Sequence, residues 1–113
     1  MKLSNSYIGL PEDFYQAINP VPVKSPSLIA FNEDLANDLS LSIDPDEALK
    51  YFSGNSIPEN TTPIALNYAG HQFGNFVHEL GDGRATLLGE IEVDKERFDV
   101  QLKGSGPTKF SRQ

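Results

Sequence analysis

Ala85-Thr86-Leu87-Leu88-Gly89-Glu90-Ile91-Glu92-Val93, then Asp94-Lys95-Glu96, then Arg97-Phe98-Asp99-Val100-Gln101-Leu102-Lys103 is the stretch that decides the fold class. In its second half Phe98, Val100 and Leu102 alternate with Asp99, Gln101 and Lys103. A period of two belongs to a strand with one apolar and one wet face, so Lys103 falls on the wet face. The polar Asp94-Lys95-Glu96 is a turn, and Ala85–Val93 and Arg97–Lys103 are the two strands of a pair.

Upstream the β texture continues to Ile64-Ala65-Leu66-Asn67-Tyr68, which reads as a strand. Gly70 and Gly74 bracket His71-Gln72-Phe73, and Phe76 to Leu80 reads as a further strand. Ser53 to Pro63 is rich in Ser, Gly, Asn, Pro and Thr, a loop and the best internal boundary. It separates an N-terminal helical and irregular extension, residues 1–62, from a strand-rich part, residues 63–113. Within the extension, Asp44-Pro45-Asp46-Glu47 supplies a cap, a proline at the first helical position and acids at the positive dipole end. That helix ends near Phe52, before Gly54. Asn32 caps a second helix that runs to Leu39, with Leu35 and Leu39 on one face. Leu28-Ile29-Ala30-Phe31 is expected to be a short buried strand, Glu12–Ile18 a short helix after Pro11, and Asn19–Val23 extended. The scattered aromatic residues read as core. The fold class is α+β, and nothing in the last residues terminates a domain, so the chain is expected to continue beyond Gln113.

Composition narrows the function. The 113 residues are 38% hydrophobic and contain no cysteine, which excludes disulfides, thiolate metal sites and a cysteine nucleophile. No apolar run approaches the roughly 20 residues that span a bilayer, and Met1–Tyr7 lacks a signal-peptide pattern, so the expectation is a cytoplasmic protein without membrane partners. The net charge of −7 argues against DNA or RNA as a partner. Residues 1–80 hold three Lys/Arg against ten Asp/Glu, whereas residues 81–113 hold six of each. A small polyanion should therefore bind in the last third.

There Leu80-Gly81-Asp82-Gly83-Arg84-Ala85 precedes one strand and Lys103 ends the next. Closely spaced glycines allow positive φ and leave backbone N–H groups unobstructed, so such a loop between antiparallel strands suits a phosphate chain. Arg84 offers a planar fork and Lys103 a mobile point charge. A glycine loop followed by a lysine on the next strand is how protein kinases cover ATP phosphates. Asp-Gly between strands is also an ordinary hairpin turn. Walker and Rossmann phosphate motifs are both absent. His71, His78 and Glu79 lack a zinc-site spacing, and each histidine reads as structural. Asp44/Asp46 and Glu90/Glu92 read as a helix start and an exposed strand face.

Four ordered blocks carry a resemblance: Asn67-Tyr68-Ala69-Gly70-His71-Gln72-Phe73-Gly74, Leu80–Ala85, Leu88-Gly89-Glu90, and Gln101-Leu102-Lys103-Gly104-Ser105-Gly106-Pro107-Thr108. Asn19-Pro20 with Pro22, and Phe31-Asn32 with Leu35-Ala36, extend it toward the N-terminus. The chain resembles the selenoprotein O (SelO/YdiU) family of protein adenylyltransferases. The resemblance implies a kinase-like N-lobe with ATP held inverted, so that AMP passes to Ser, Thr or Tyr hydroxyls of protein substrates. It implies nucleotide-binding roles for Gly81, Gly83, Arg84 and Lys103. ATP and Mg²⁺ are the implied cofactors, with the catalytic and metal-holding residues outside this chain. The chain is then a fragment, inactive alone. Lys109 and Gln113 depart from the family pattern in the loop after the lysine. The rivals are a non-catalytic nucleotide-binding module and a structural or interaction domain in which Gly81-Asp82-Gly83 is only a turn.

Overall fold

The computed structural model describes residues 1–111. In chain order it has 3-10 turns at Ser6–Gly9 and Glu12–Phe14, β1 (Tyr15–Ala17), α1 (Glu33–Asp38), α2 (Pro45–Phe52), β2 (Ile64–Leu66), β3 (Gly70–Gln72), β4 (Asn75–Val77), β5 (Ala85–Val93) and β6 (Glu96–Lys103). The architecture is mixed α and β with antiparallel sheets: a four-stranded sheet in the order β1-β2-β5-β6 and a separate β3-β4 hairpin.

β5 is the spine. From Thr86 to Ile91 every residue is buried, because β2 and β6 flank its edges and other segments cover both faces. Its register with β6 shifts between Leu87 and Gly89, so Leu88 is a bulge residue without a partner across the strands. The shift sends Leu88 into the same cluster as Leu3 and Ile91, against which Leu39, Leu41, Phe52, Val100 and Leu102 pack. Ala85, Leu87, Glu90 and Glu92 then share the opposite face with Lys103, Gln101, Asp99 and Arg97. The turn between the strands uses two residues, Asp94 and Lys95, at φ 49° and 68°.

α2 forms where the sequence places it. The Asp44 side chain accepts from the Glu47 N–H while the Glu47 side chain reaches back to the Asp44 N–H, a reciprocal box in front of Pro45. Such a cap contributes about 1 kcal/mol. Asn32 caps α1 through the Leu35 N–H, and Ala36 is the buried residue of that helix.

Four local expectations are corrected. Glu12–Ile18 is not a helix: a single 3-10 turn gives way to β1, which pairs Gln16 with Ala65. Leu28–Phe31 is not a buried strand. Among the described residues no strand pairs with it, and Ile29 is 99% exposed. Phe76–Leu80 is strand only in part, since β4 ends at Val77. The aromatic residues are mostly not core: Phe110 is buried, but Phe14, Tyr68, Phe73, Phe76 and Phe98 are exposed. Among the described residues no helix is long and apolar enough to cross a membrane.

Candidate functional site

β2 ends at Leu66, and the chain returns to it through Asp82 before entering β5. The Asp82 N–H donates to the Leu66 carbonyl at 2.7 Å, and the Asp82 carboxylate accepts the Leu66 N–H at 3.0 Å. Asp82 thereby completes the ladder at the strand end, which is why a carboxylate only 6% exposed is tolerated here. Gly81, beside it, has φ +73°, and a Cβ there would lie 2.9 Å from the Leu66 carbonyl oxygen and 2.8 Å from the Phe110 ring. Only glycine fits. Gly83 does not adopt positive φ. A Cβ there would stand 3.4 Å from the Phe110 carbonyl oxygen, an ordinary contact, so neither backbone angle nor packing within the described residues demands glycine at this position.

The loop is therefore not the tight hairpin turn that Asp-Gly suggests. It joins β4 of the small hairpin to β5 of the main sheet, two strands that do not pair. Its position is set from the other side by the segment after Lys103. Gly104 and Ser105 donate to the Arg84 carbonyl, at 2.9 and 3.3 Å, and the buried hydroxyls of Thr86 and Ser105 bond at 2.7 Å.

Gly81, Gly83, Arg84 and Lys103 come together along one cleft of about 350 Å³, completed by Tyr68, Asp82, Ala85 and Gln101. Arg84 and Lys103 are exposed; Arg84 directly precedes β5, whose first residue Ala85 pairs with Lys103 at the end of β6. Neither makes an ion pair among the described residues, where Arg97–Glu90 is the only one. Nor do the N–H groups of Gly83 and Arg84 donate to any acceptor there. Burial, and then the nearby Asp82 carboxylate, raise the Tyr68 hydroxyl above its ordinary pKa. The cleft thus offers two unpaired cations and free backbone donors, an arrangement suited to an anion.

Tyr68, Asp82 and Gln101 belong to the motif blocks, but spacing alone does not bring them to the cleft, because their place in it depends on the pairing of β2, β5 and β6. Lys109 lies outside the cleft lining: its N–H donates to the Gln16 side chain at 2.9 Å and its ammonium sits 5.2 Å from the Phe110 ring centre. Gln113 lies outside the described residues. His71 and His78 meet Phe76 edge-on, with ring centres 5.5 and 4.9 Å away. Among the described residues no three His, Asp or Glu side chains gather to hold a metal ion.

The Glu90/Glu92 pair needs correction. Glu92 is exposed, but Glu90 is only 4% exposed. Its carboxylate accepts the Ser6 N–H at 2.6 Å and the Ser6 hydroxyl at 2.7 Å, and Arg97 approaches at 3.5 Å. Burial works to raise its pKa, yet the Ser6 hydrogen bonds and Arg97 outweigh it and hold the carboxyl below its ordinary value.

Comparison with known proteins converges on one family. A family model described as "Protein adenylyltransferase SelO" matches residues 1–113. The chain is 57% identical to a protein nucleotidyltransferase YdiU of Agrobacterium fabrum over 100% of its own length and 24% of the relative's. It is 57% identical to the protein of the same name from Roseobacter denitrificans, covering 96% of this chain and 23% of that one. For a Bacillus cereus protein of that name the identity is 53%, covering 98% and 23%. The chain spans about a quarter of the length of these curated relatives. It belongs to the SelO family, whose curated relatives carry the name protein nucleotidyltransferase.

Proposed function

We propose that this chain builds the phosphate-holding part of an ATP site in a protein adenylyltransferase that moves AMP onto Ser, Thr or Tyr hydroxyls of protein substrates in the cytoplasm. The observation that carries the reading is the single cleft shared by Gly81, Gly83, Arg84 and Lys103, with both cations unpaired. In the reaction a substrate hydroxyl oxygen bonds to the α-phosphorus, the bond to pyrophosphate breaks, and the hydroxyl proton leaves to a base. The groups of this chain act on charge. Arg84 can grip two oxygens at once, Lys103 supplies a point charge, and the loop N–H groups donate without reorganising. No base is assigned to this chain.

Strand β5 preceded by a glycine loop and β6 ending in a lysine are the parts expected of a kinase-like N-lobe, and we assign the sheet to such a lobe. Mg²⁺ neutralises phosphate charge in this chemistry. The described residues do not gather a ligand set for it, so no step above runs through the metal. Because the chain spans about a quarter of its relatives, transfer is assigned to the longer protein, and the 113 residues alone are expected not to transfer AMP.

The test is ATP binding and AMP transfer by the full-length protein carrying Lys103→Ala. Both should fall sharply while the melting temperature stays near wild type. Nucleotide binding retained without any transfer in the wild type would favour a non-catalytic nucleotide module instead. Unchanged binding in the variant would leave the cleft a structural feature.

A further inference from the structure

We infer that Thr108 is a positioning residue for the nucleotide, acting by turning the donors of the glycine loop into the cleft; the inference rests on the ATP-site reading above. The Thr108 hydroxyl donates to the Asp82 carbonyl at 2.5 Å and lies 3.1 Å from the Gly83 carbonyl. The Thr108 N–H also reaches the Gly83 carbonyl at 3.1 Å. The Ser111 hydroxyl donates to that same carbonyl and accepts the Thr108 N–H at 2.8 Å. The Phe110 N–H donates to the Thr108 hydroxyl oxygen at 3.1 Å, which fixes the rotamer of the clamp. Two consecutive loop carbonyls are thus drawn to one side by Thr108, which lies 26 and 25 positions after them, and by Ser111, 28 positions after Gly83.

A trans peptide is planar, with its C=O and N–H on opposite sides. Pulling the Asp82 carbonyl toward Thr108 turns the Gly83 N–H the other way, and pulling the Gly83 carbonyl does the same to the Arg84 N–H. Thr108 and Ser111 do not line the cleft, whereas Gly83 and Arg84 do. The side away from the clamp is the cleft, and these two N–H groups have no acceptor within the described protein. Successive N–H groups held on one side make a concavity for an anion such as a phosphate oxygen. An unclamped glycine loop would present such donors only part of the time, because glycine has the most backbone freedom to lose.

The clamp also couples the loop to the lysine. Thr108 follows Lys103 through Gly104 and Ser105, which bond to the Arg84 carbonyl. Gly106 sits so close to the N-terminal strap that a Cβ would lie 2.4 Å from Val21, and the Val21 N–H donates to the Ser105 carbonyl at 2.8 Å. Backbone donors and ammonium are therefore carried by one hydrogen-bonded unit.

The experiment is steady-state AMP transfer by full-length protein with ATP varied, for wild type, Thr108→Val, Thr108→Ser, Ser111→Ala and Lys103→Ala, each also melted. Thr108→Val keeps the side-chain shape and removes the donor. It should raise KM for ATP roughly tenfold to 100-fold, the scale of a lost hydrogen bond to a charged group. Thr108→Ser should restore KM, and Ser111→Ala should raise it by a smaller factor. A merely structural threonine would lower the folded fraction, and so kcat, while leaving KM alone. KM unchanged in folded Thr108→Val, with Lys103→Ala impaired, overturns the positioning role and leaves the ATP-site reading standing. Should Thr108→Val fail to fold, an unchanged KM in Ser111→Ala overturns it equally. If Lys103→Ala binds and uses ATP like wild type, the ATP-site reading falls first.

Discussion

The two ends of the β5-β6 hairpin both carry charge, and the protein treats them in opposite ways. Near the turn, Arg97 meets Glu90, Ser6 supplies two further donors to that carboxylate, and the Tyr7 hydroxyl donates to Asp99 at 3.0 Å. At the other end Arg84 and Lys103 line one cleft without an ion-pair partner among the described residues. Two cations sharing one cleft without ion-pair partners repel each other, and nothing in the fold's own hydrogen bonding uses them. Charges that hold the fold together are satisfied within it. Charges left unsatisfied, beside free backbone donors, are available to a ligand.

The sharpest way to break that contrast is to mutate the open end in the full-length protein. Lys103→Ala should reduce AMP transfer on the order of 10²-fold or more, the scale of losing one preorganised group that stabilises transition-state charge. Its effect on folding should stay within about 0.5 kcal/mol, as for an exposed side chain without partners. Arg84→Lys should also lower the rate, because an ammonium cannot reproduce the guanidinium fork. Transfer rates beside thermal melts decide this: variants that melt far below wild type, or that transfer normally, would place these residues in the fold rather than at the phosphates.

The closed end should behave in reverse. Glu90→Ala leaves the Ser6 donors and Arg97 without their acceptor and should cost roughly 1–3 kcal/mol of stability, read by denaturant unfolding. ATP affinity in the folded full-length variant should change little. The same carboxylate sets a pH dependence. Its folded-state pKa lies below the ordinary value of 4.5, so the unfolded state takes up the proton first. The stability it contributes is complete above that ordinary value and is lost as pH falls through the depressed one. Glu90→Gln should flatten the acid limb of a stability–pH curve, and an unchanged limb would show that other carboxylates set it.

What the sequence made legible follows the range of the interactions. Asp44-Pro45-Asp46-Glu47 announces α2 because all the groups of the capping box lie within four residues. The alternation in β6 is equally local. β1 was missed because Tyr15–Ala17 becomes a strand only through Ile64–Leu66, far along the chain. Leu28–Phe31 is not the strand its composition suggests, because an apolar run says nothing about whether a partner strand exists, and among the described residues none pairs with it. Spacing and resemblance single out Gly81, Gly83, Arg84 and Lys103, and the structure brings these four to one cleft. The hydrogen bonds of Asp82 and Thr108 that hold the loop are not legible in this way. An Asp between glycines reads as a turn until Leu66 is seen bonded to it from both its carbonyl and its N–H.

The smallest expected effect sharpens the comparison from the turn itself. Asp94 and Lys95 both have positive φ, at 49° and 68°, the geometry for which Asp-Gly is among the preferred sequences of a two-residue hairpin. Lys95 is exposed and carries a Cβ in a region that disfavours one. Lys95→Gly removes that strain but gives the unfolded chain more freedom to lose, and the two effects oppose each other. With the strain of a non-glycine residue in this region near 1 kcal/mol or somewhat more, the net should be a stabilisation of a few tenths of a kcal/mol up to about 1 kcal/mol. Because the turn lies at the far end of the hairpin from Arg84 and Lys103, KM for ATP in the full-length protein should not move. A higher melting temperature with unchanged nucleotide kinetics would show that the two ends are energetically separable. A changed KM would mean that strain at the turn is transmitted along β5 and β6 to the cleft, and the division of labour drawn above would have to be redrawn as one coupled unit.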